Sequence, residues 1–213
     1  MLCITLTLAN SVPAEAAEQT VDQLVGSLNI HPDAVGGPVA GFKAIGQRQV
    51  QGCLASADEA VGFILSAARS ATWGVHLTVI PNHEDAQRTP NAEPSLQRVM
   101  ELASATGPRA VRAPGGVRVE LTRGDSLVDV KQTPEIGPIE STLQLLCAIE
   151  RRRSDEGQEA GLMINAGKSQ TQAAQLLGVS QQAVSSRLQA GYWYESRKVA
   201  YWLAVQIQKL VQD

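Results

Sequence analysis

Residues 168–191 read KSQTQAAQLLGVSQQAVSSRLQAG, with no His, no Cys and no acid. Ala173, Ala174 and Leu177 fall on one face of a helix predicted over Gln170–Leu177. Gly178 follows, where a helix needs a residue tolerant of positive φ to end. Val179 then plugs the corner, and Ser180 can cap a second helix over Gln181–Gln189. In that helix Val184 and Leu188, four apart, form the inner face. Ala174 is small enough for the two helices to cross closely near the turn. Read from sterics, the stretch is a helix-turn-helix.

The outward face of the second helix is Gln181, Gln182, Ser185, Ser186 and Gln189. Solubility is usually served by Lys and Glu, whereas these are neutral hydrogen-bonding groups. They suit a major groove, where Gln can pair with adenine and Ser with either base. The segment AAQLLGVSQQAVSSRL (173–188) resembles the helix-turn-helix of bacterial transcriptional regulators, and SDEGQEAGLMINAGKSQ (154–170) is similar to its supporting helix, capped by Ser154. The expected partner is therefore double-stranded DNA. Phosphate contacts are expected from Lys168, Ser169, Gln170 and Thr171 at the start of the first helix, where free N–H groups can hold an anion, and from Arg187, Arg197 and Lys198.

Composition sets the limits of that reading. The chain has 213 residues, 44% of them hydrophobic but only 4% aromatic, so its cores are aliphatic and Ala-rich. The net charge of −3 argues against a nucleic-acid binder using its whole surface. The charge is unevenly spread: residues 138–213 carry eight Lys/Arg and seven Asp/Glu, leaving about −4 for the front. Cys3, Cys53 and Cys147 are odd in number and in no CxxC pair, which points to reduced thiols and a cytoplasmic protein. The apolar start MLCITLTLANSVPAEA lacks the basic residue of a signal peptide, since no Lys or Arg precedes Lys43. No run has the length of a membrane span.

Working toward the N-terminus, QTPEIGP (132–138) has two prolines and a glycine and reads as a linker. Beyond it everything reads helical, including 139–152, 155–165 and 195–211. Before it, strands are predicted over 2–9, 39–45, 49–54, 73–80, 117–122 and 126–131. Helices are predicted between them, with Val21, Leu24, Val25 and Leu28 on one face of the first and Ser56 capping the second. The order βα-ββ-αβ implies an α+β ferredoxin-like sandwich over 1–133, followed by an all-α helix-turn-helix domain over 138–213.

Three segments of the front carry a further resemblance: ITLTLANS (4–11), IGQRQVQGCLASADEAV (45–61) and WGVHLTVI (73–80). They resemble the SatD-like proteins, whose core is similar to that of class III nucleotide cyclases. The resemblance covers roughly residues 2–80 and implies a cyclase-like fold. It also marks two positions where the family has Asp. The first falls on Thr7; the second falls on Gln47 or Arg48, depending on whether FKAIG or VQG sets the alignment. Two-metal phosphoryl chemistry needs carboxylate ligands for Mg²⁺. The expectation is thus a non-catalytic domain for dimerisation or sensing, with no metal and no cofactor. Arg48 remains a group that could meet an anionic effector.

The remaining candidates are weaker. His76 lies in a strand pattern, and His31 and His83 lie in loop patterns without a second ligand at metal spacing. Gly36-Gly37 and Gly115-Gly116 read as turns, and Arg151–Arg153 as a solvated helix end. The last helix carries Val199, Trp202, Leu203, Ile207 and Leu210, a core face or a dimer seam. The expected function is a homodimeric, non-enzymatic transcriptional regulator. The alternatives are a helical protein-interaction module, a ligand sensor without DNA binding, and an enzyme using the polar loop between Pro81 and Pro94.

Overall fold

The computed structural model describes residues 1–28, 40–81, 96–123, 126–129 and 133–212. Among them a six-stranded sheet and eight α-helices form an α+β fold. The strands are β1 (Leu2–Leu8), β2 (Ala40–Ile45), β3 (Gln49–Leu54), β4 (Trp73–Val79), β5 (Val117–Arg123) and β6 (Ser126–Val128). The helices are α1 (Ala14–Leu28), α2 (Ala57–Arg69), α3 (Leu96–Thr106), α4 (Ile136–Arg152), α5 (Asp155–Asn165), α6 (Gln170–Leu177), α7 (Gln181–Ala190) and α8 (Trp193–Gln212). His31, Gly36-Gly37, His83 and most of the polar loop after Pro81 lie outside the described residues.

The sheet order is β2-β3-β1-β4-β5-β6, antiparallel throughout except for the parallel pair β4–β5. Side chains alternate along each strand, which divides the sheet into two unlike faces. Leu2, Ile4, Leu6 and Leu8 of β1 share a core with Val75, Leu77 and Val79 of β4 and with Val117, Val119 and Leu121 of β5. Ile64 and Leu65 of α2, Leu143 and Leu146 of α4, and Leu203, Ile207 and Val211 of α8 belong to the same core. That core runs across residues 133–138, so α4 and α8 pack with the sheet rather than apart from it.

The alternate residues of the same strands are polar and equally buried: Thr5 and Thr7 of β1, Gln51 of β3, His76 and Thr78 of β4, Glu120 and Thr122 of β5. Helix α3 and a 3-10 stretch over Gly107–Arg112 supply partners on this side. Gln51 Nε2 donates to Thr5 Oγ1 at 2.8 Å and to the Met100 carbonyl at 2.9 Å. Gln49 Nε2 donates to the Ser104 carbonyl at 2.9 Å, and Ser104 Oγ returns a bond to Gln49 Oε1 at 2.6 Å. Gly74 is where the 3-10 stretch comes closest, since a Cβ there would lie 2.5 Å from the backbone nitrogen of Val111.

Three sequence expectations are corrected. The linker over 132–138 gives way to helix at Ile136, because Ile136 is fully buried and Pro138 sits in the first turn, where its missing N–H costs nothing. The last strand covers Ser126–Val128 and Asp129 already lies outside it, while the rest of the strand expected to Lys131 falls outside the described residues. Arg153 is not solvated: its side chain is buried against Glu150, Ser196 and Trp193. No helix among the described residues is long and apolar enough to cross a membrane.

Candidate nucleic-acid interface

A second, smaller apolar cluster lies beside the sheet core: Ala160, Ala173, Ala174, Val184, Leu188 and Trp193, with Leu177 and Val179 against its edge. Trp193 is its one large side chain and is almost fully buried. Gly161 makes room for it, since a Cβ there would lie 2.1 Å from the indole. The guanidinium groups of Arg153 and Arg197 stack on the same ring, 4.7 and 4.6 Å from its centroid. Glu150 pairs with both arginines, so the end of α4 is tied to the start of α8 by a buried charge network. Arg153 Nε also donates to the Gly191 carbonyl at 3.1 Å.

This frame holds α6 and α7. Ser169 closes the start of α6 with a reciprocal capping box: its hydroxyl accepts from Gln172 N, and Gln172 Oε1 accepts from Ser169 N. Gly178 ends α6 at φ +64°, in the left-handed region. Ser180 caps α7 by accepting from Ala183 N at 3.1 Å, and Ser154 caps α5 by accepting from Gly157 N at 3.1 Å. Val184 and Leu188 point inward and are buried. The local signals read from the sequence thus coincide with the helix ends.

Gln181, Gln182, Ser186 and Gln189 are exposed, and Ser185 is half-buried on the same helix. Lys168, Ser169, Thr171 and Ser180 are exposed at the starts of α6 and α7, with Gln170 and Arg187 half-buried. Gln170 joins three helices: its Oε1 accepts from Gln181 Nε2 at 3.3 Å, and its Nε2 donates to Tyr194 Oη at 3.3 Å. Tyr194 is therefore part of the surface. Its neighbour Trp193 is the core residue, one step round the same helix, and Tyr192 precedes it at φ +48°.

Arg197 departs from its expected phosphate role. It pairs with Glu150 and lies over Trp193, whereas Lys198 next to it is exposed. Lys168 and Lys198 are exposed and Arg187 is half-buried, whereas Arg197 and Arg153 share the single carboxylate of Glu150.

The expected acid positions of the front lie elsewhere, at the end of β1. Thr7 is buried, Gln47 is exposed, and the Arg48 guanidinium donates to the carbonyls of Ala9 at 2.7 Å and Val12 at 3.1 Å. Arg48 is thus occupied in pinning the chain after β1. A cavity of about 530 Å³ at the end of β1 is lined by Thr7, Asn10, Arg109, Arg112 and Arg118, among others, and Arg118 faces Asp129 and Glu140 at 3.6 and 3.8 Å. Among the described residues no group of His, Cys, Asp or Glu is placed to hold a metal.

His76 is engaged inside the polar layer. Its Nε2 lies 3.0 Å from Glu120 Oε2, an ion-pair distance angled away from the hydrogen-bond axis, and its Nδ1 lies 3.3 Å from the Ala103 carbonyl. Thr106 Oγ1 donates to Glu120 Oε2 at 3.2 Å. Burial pushes the Glu120 carboxyl up, but His76 and Thr106 outweigh it and hold the group below the usual carboxylate range. The sequence placed His76 in a strand but gave no sign of Glu120, because their pairing is set by the parallel register of β4 and β5.

No protein-family model, curated protein or solved structure matches the chain.

Proposed function

We propose that the chain is a sequence-specific DNA-binding protein, a homodimeric transcriptional regulator in which α6 and α7 form a helix-turn-helix and α7 reads bases. The observation that carries this reading is the outer surface of α7: Gln181, Gln182, Ser185, Ser186 and Gln189 on a helix whose other side is anchored by Val184 and Leu188. The link from Gln181 through Gln170 to Tyr194 supports it, because a base-reading amide gains from being held in place before it meets its partner. Lys168 and the N-terminus of α6 are the phosphate-positioning elements.

The front belongs to this reading as a ferredoxin-like, cyclase-like module of the SatD-like kind, without catalysis. The order β1-α1-β2-β3-α2-β4 and the antiparallel arrangement β2-β3-β1-β4 support the fold. Thr7, Gln47 and Arg48 at the family's acid positions argue against metal-dependent phosphoryl transfer.

A second reading has one observation in its favour: Leu176 of α6 and Leu162 of α5 are 63% and 53% exposed, as in a helical protein-interaction module. Genome-fragment binding in vitro separates the two. The wild type is compared with the Gln181→Ala/Gln182→Ala/Ser185→Ala variant at two salt concentrations. The expected result is enrichment of defined sites by the wild type, loss of that selectivity in the variant, and steep weakening with salt. Absence of any enrichment at low salt overturns the DNA reading and leaves the interaction module.

A further inference from the structure

The chain has eight aromatic side chains, and four of them are exposed: Tyr192, Tyr194, Tyr201 and Trp202. All four lie within eleven consecutive residues at the start and middle of α8. The other two tryptophans, Trp73 and Trp193, are 7% and 2% exposed, whereas Trp202 is 46% exposed. Exposed aromatics in a chain this poor in them mark an interaction surface, since such residues are enriched in the buried centres of interfaces.

The orientation of α8 is fixed from its other side. Leu203, Ile207 and Val211 are buried in the sheet core, with Ala200 and Leu210 packed against it. Trp202 therefore points outward, flanked by Val199 at 38% and Val205 at 37% exposure. Glu195 and Lys209, both exposed, stand seven residues before and seven residues after Trp202 on this side.

That spacing is self-complementary. A two-fold interface requires that if residue i meets j, then j meets i. Two antiparallel copies of α8 related by an axis at Trp202 place Trp202 against Trp202, Val199 against Val205, and Glu195 against Lys209 at both ends. Seven residues of helix span about 10 Å, so each charge pair lies at the rim of a central apolar patch. A parallel arrangement would instead set Glu195 against Glu195 and Lys209 against Lys209. We infer that the Val199–Trp202–Val205 face of α8 is the homodimer interface, formed by antiparallel pairing with a second copy of this chain. The inference deepens the homodimer part of the proposed function and does not depend on DNA binding.

Sedimentation velocity of the full chain without DNA, across the micromolar range, tests it. The wild type is expected to sediment at twice the chain mass. Trp202→Glu is expected to raise the dimer dissociation constant by about a hundredfold or more. E195K or K209E alone sets like charges opposite each other twice per dimer, with an expected weakening of about five- to tenfold. The double variant E195K/K209E restores the pairing and is expected to return to within about twofold of the wild type. That rescue excludes misfolding as the cause of the single effects. A wild type monomeric throughout, a Trp202→Glu chain that dimerises normally, or a double variant no better than either single one overturns the inference. Failure of the genome-fragment experiment leaves this result standing, and the reverse also holds.

Discussion

The two apolar clusters hold the chain in different ways. The sheet cluster contains 31 buried residues among those described, most of them aliphatic, and no single one dominates it. The helical cluster contains 6, four of them Ala or Val, and depends on Trp193. Where aliphatic bulk is scarce, stability comes from one indole, the arginines stacked on it and four well-formed helix caps. A small cluster of this kind leaves most of the surfaces of α6 and α7 unburied, and those are the surfaces assigned to recognition. Helix α8 joins the two, with Trp193 in one cluster and Leu203 through Val211 in the other.

The contrast breaks most sharply at Trp193. Trp193→Ala is expected to cost about 4 kcal/mol, the range for deleting a buried aromatic side chain, and to leave Arg153 buried beneath a cavity. Denaturation followed by circular dichroism should then show the helical cluster melting before the sheet. On the proposed reading, selectivity for DNA sites should be lost together with it. A single cooperative transition with unchanged midpoint would mean that the small cluster draws its stability from α4 and α8, not from the indole.

The polar layer of the sheet gives a sharper test of the large cluster. Glu120→Gln removes the buried carboxylate that His76 and Thr106 face, at an expected cost of about 2 kcal/mol. Because the Glu120 carboxyl is held below its usual range when folded, its contribution is fully present above the ordinary carboxylate pKa. It is lost as pH falls through the lower folded value. Wild-type stability should therefore fall on acidification, and the Glu120→Gln profile should be flatter over the same window. Parallel profiles for the two proteins would remove Glu120 from the acid limb.

The smallest effect is expected at the turn between α6 and α7. Gly178 sits at φ +64°, yet a Cβ there would meet nothing within 4 Å. Gly178→Ala should thus cost only backbone strain, about 1 kcal/mol, read as a shift in the denaturation midpoint. A much larger loss would show that the turn makes contacts beyond those of its own backbone.

Much of the helical part was legible in the sequence because its signals are local. Ser154, Ser169, Ser180 and Gly178 act within four residues of themselves; α5, α6 and α7 begin, and α6 ends, where those residues place them. The strands were legible from alternation, but not the roles of their two faces. Thr5 and Thr7 read as β-formers, and their partners Gln51 and Gln49 are more than forty residues away. Arg153 and Arg197 read as solvent or phosphate ligands, since sequence position does not reveal that Glu150 and Trp193 converge on them.

The sequence by itself determined where most of the helices and strands lie, the capped turn between α6 and α7, and the Gln- and Ser-rich outer face of α7. Those properties depend on backbone conformation and on the period of the side chains. The tertiary structure decided that α4 and α8 join the sheet core, that His76 meets Glu120, that Arg197 is drawn to Glu150 while Lys198 is exposed, and that Trp202 faces outward. Each of these depends on which distant surfaces are brought together, and burial and charge pairing are properties of that meeting rather than of either segment.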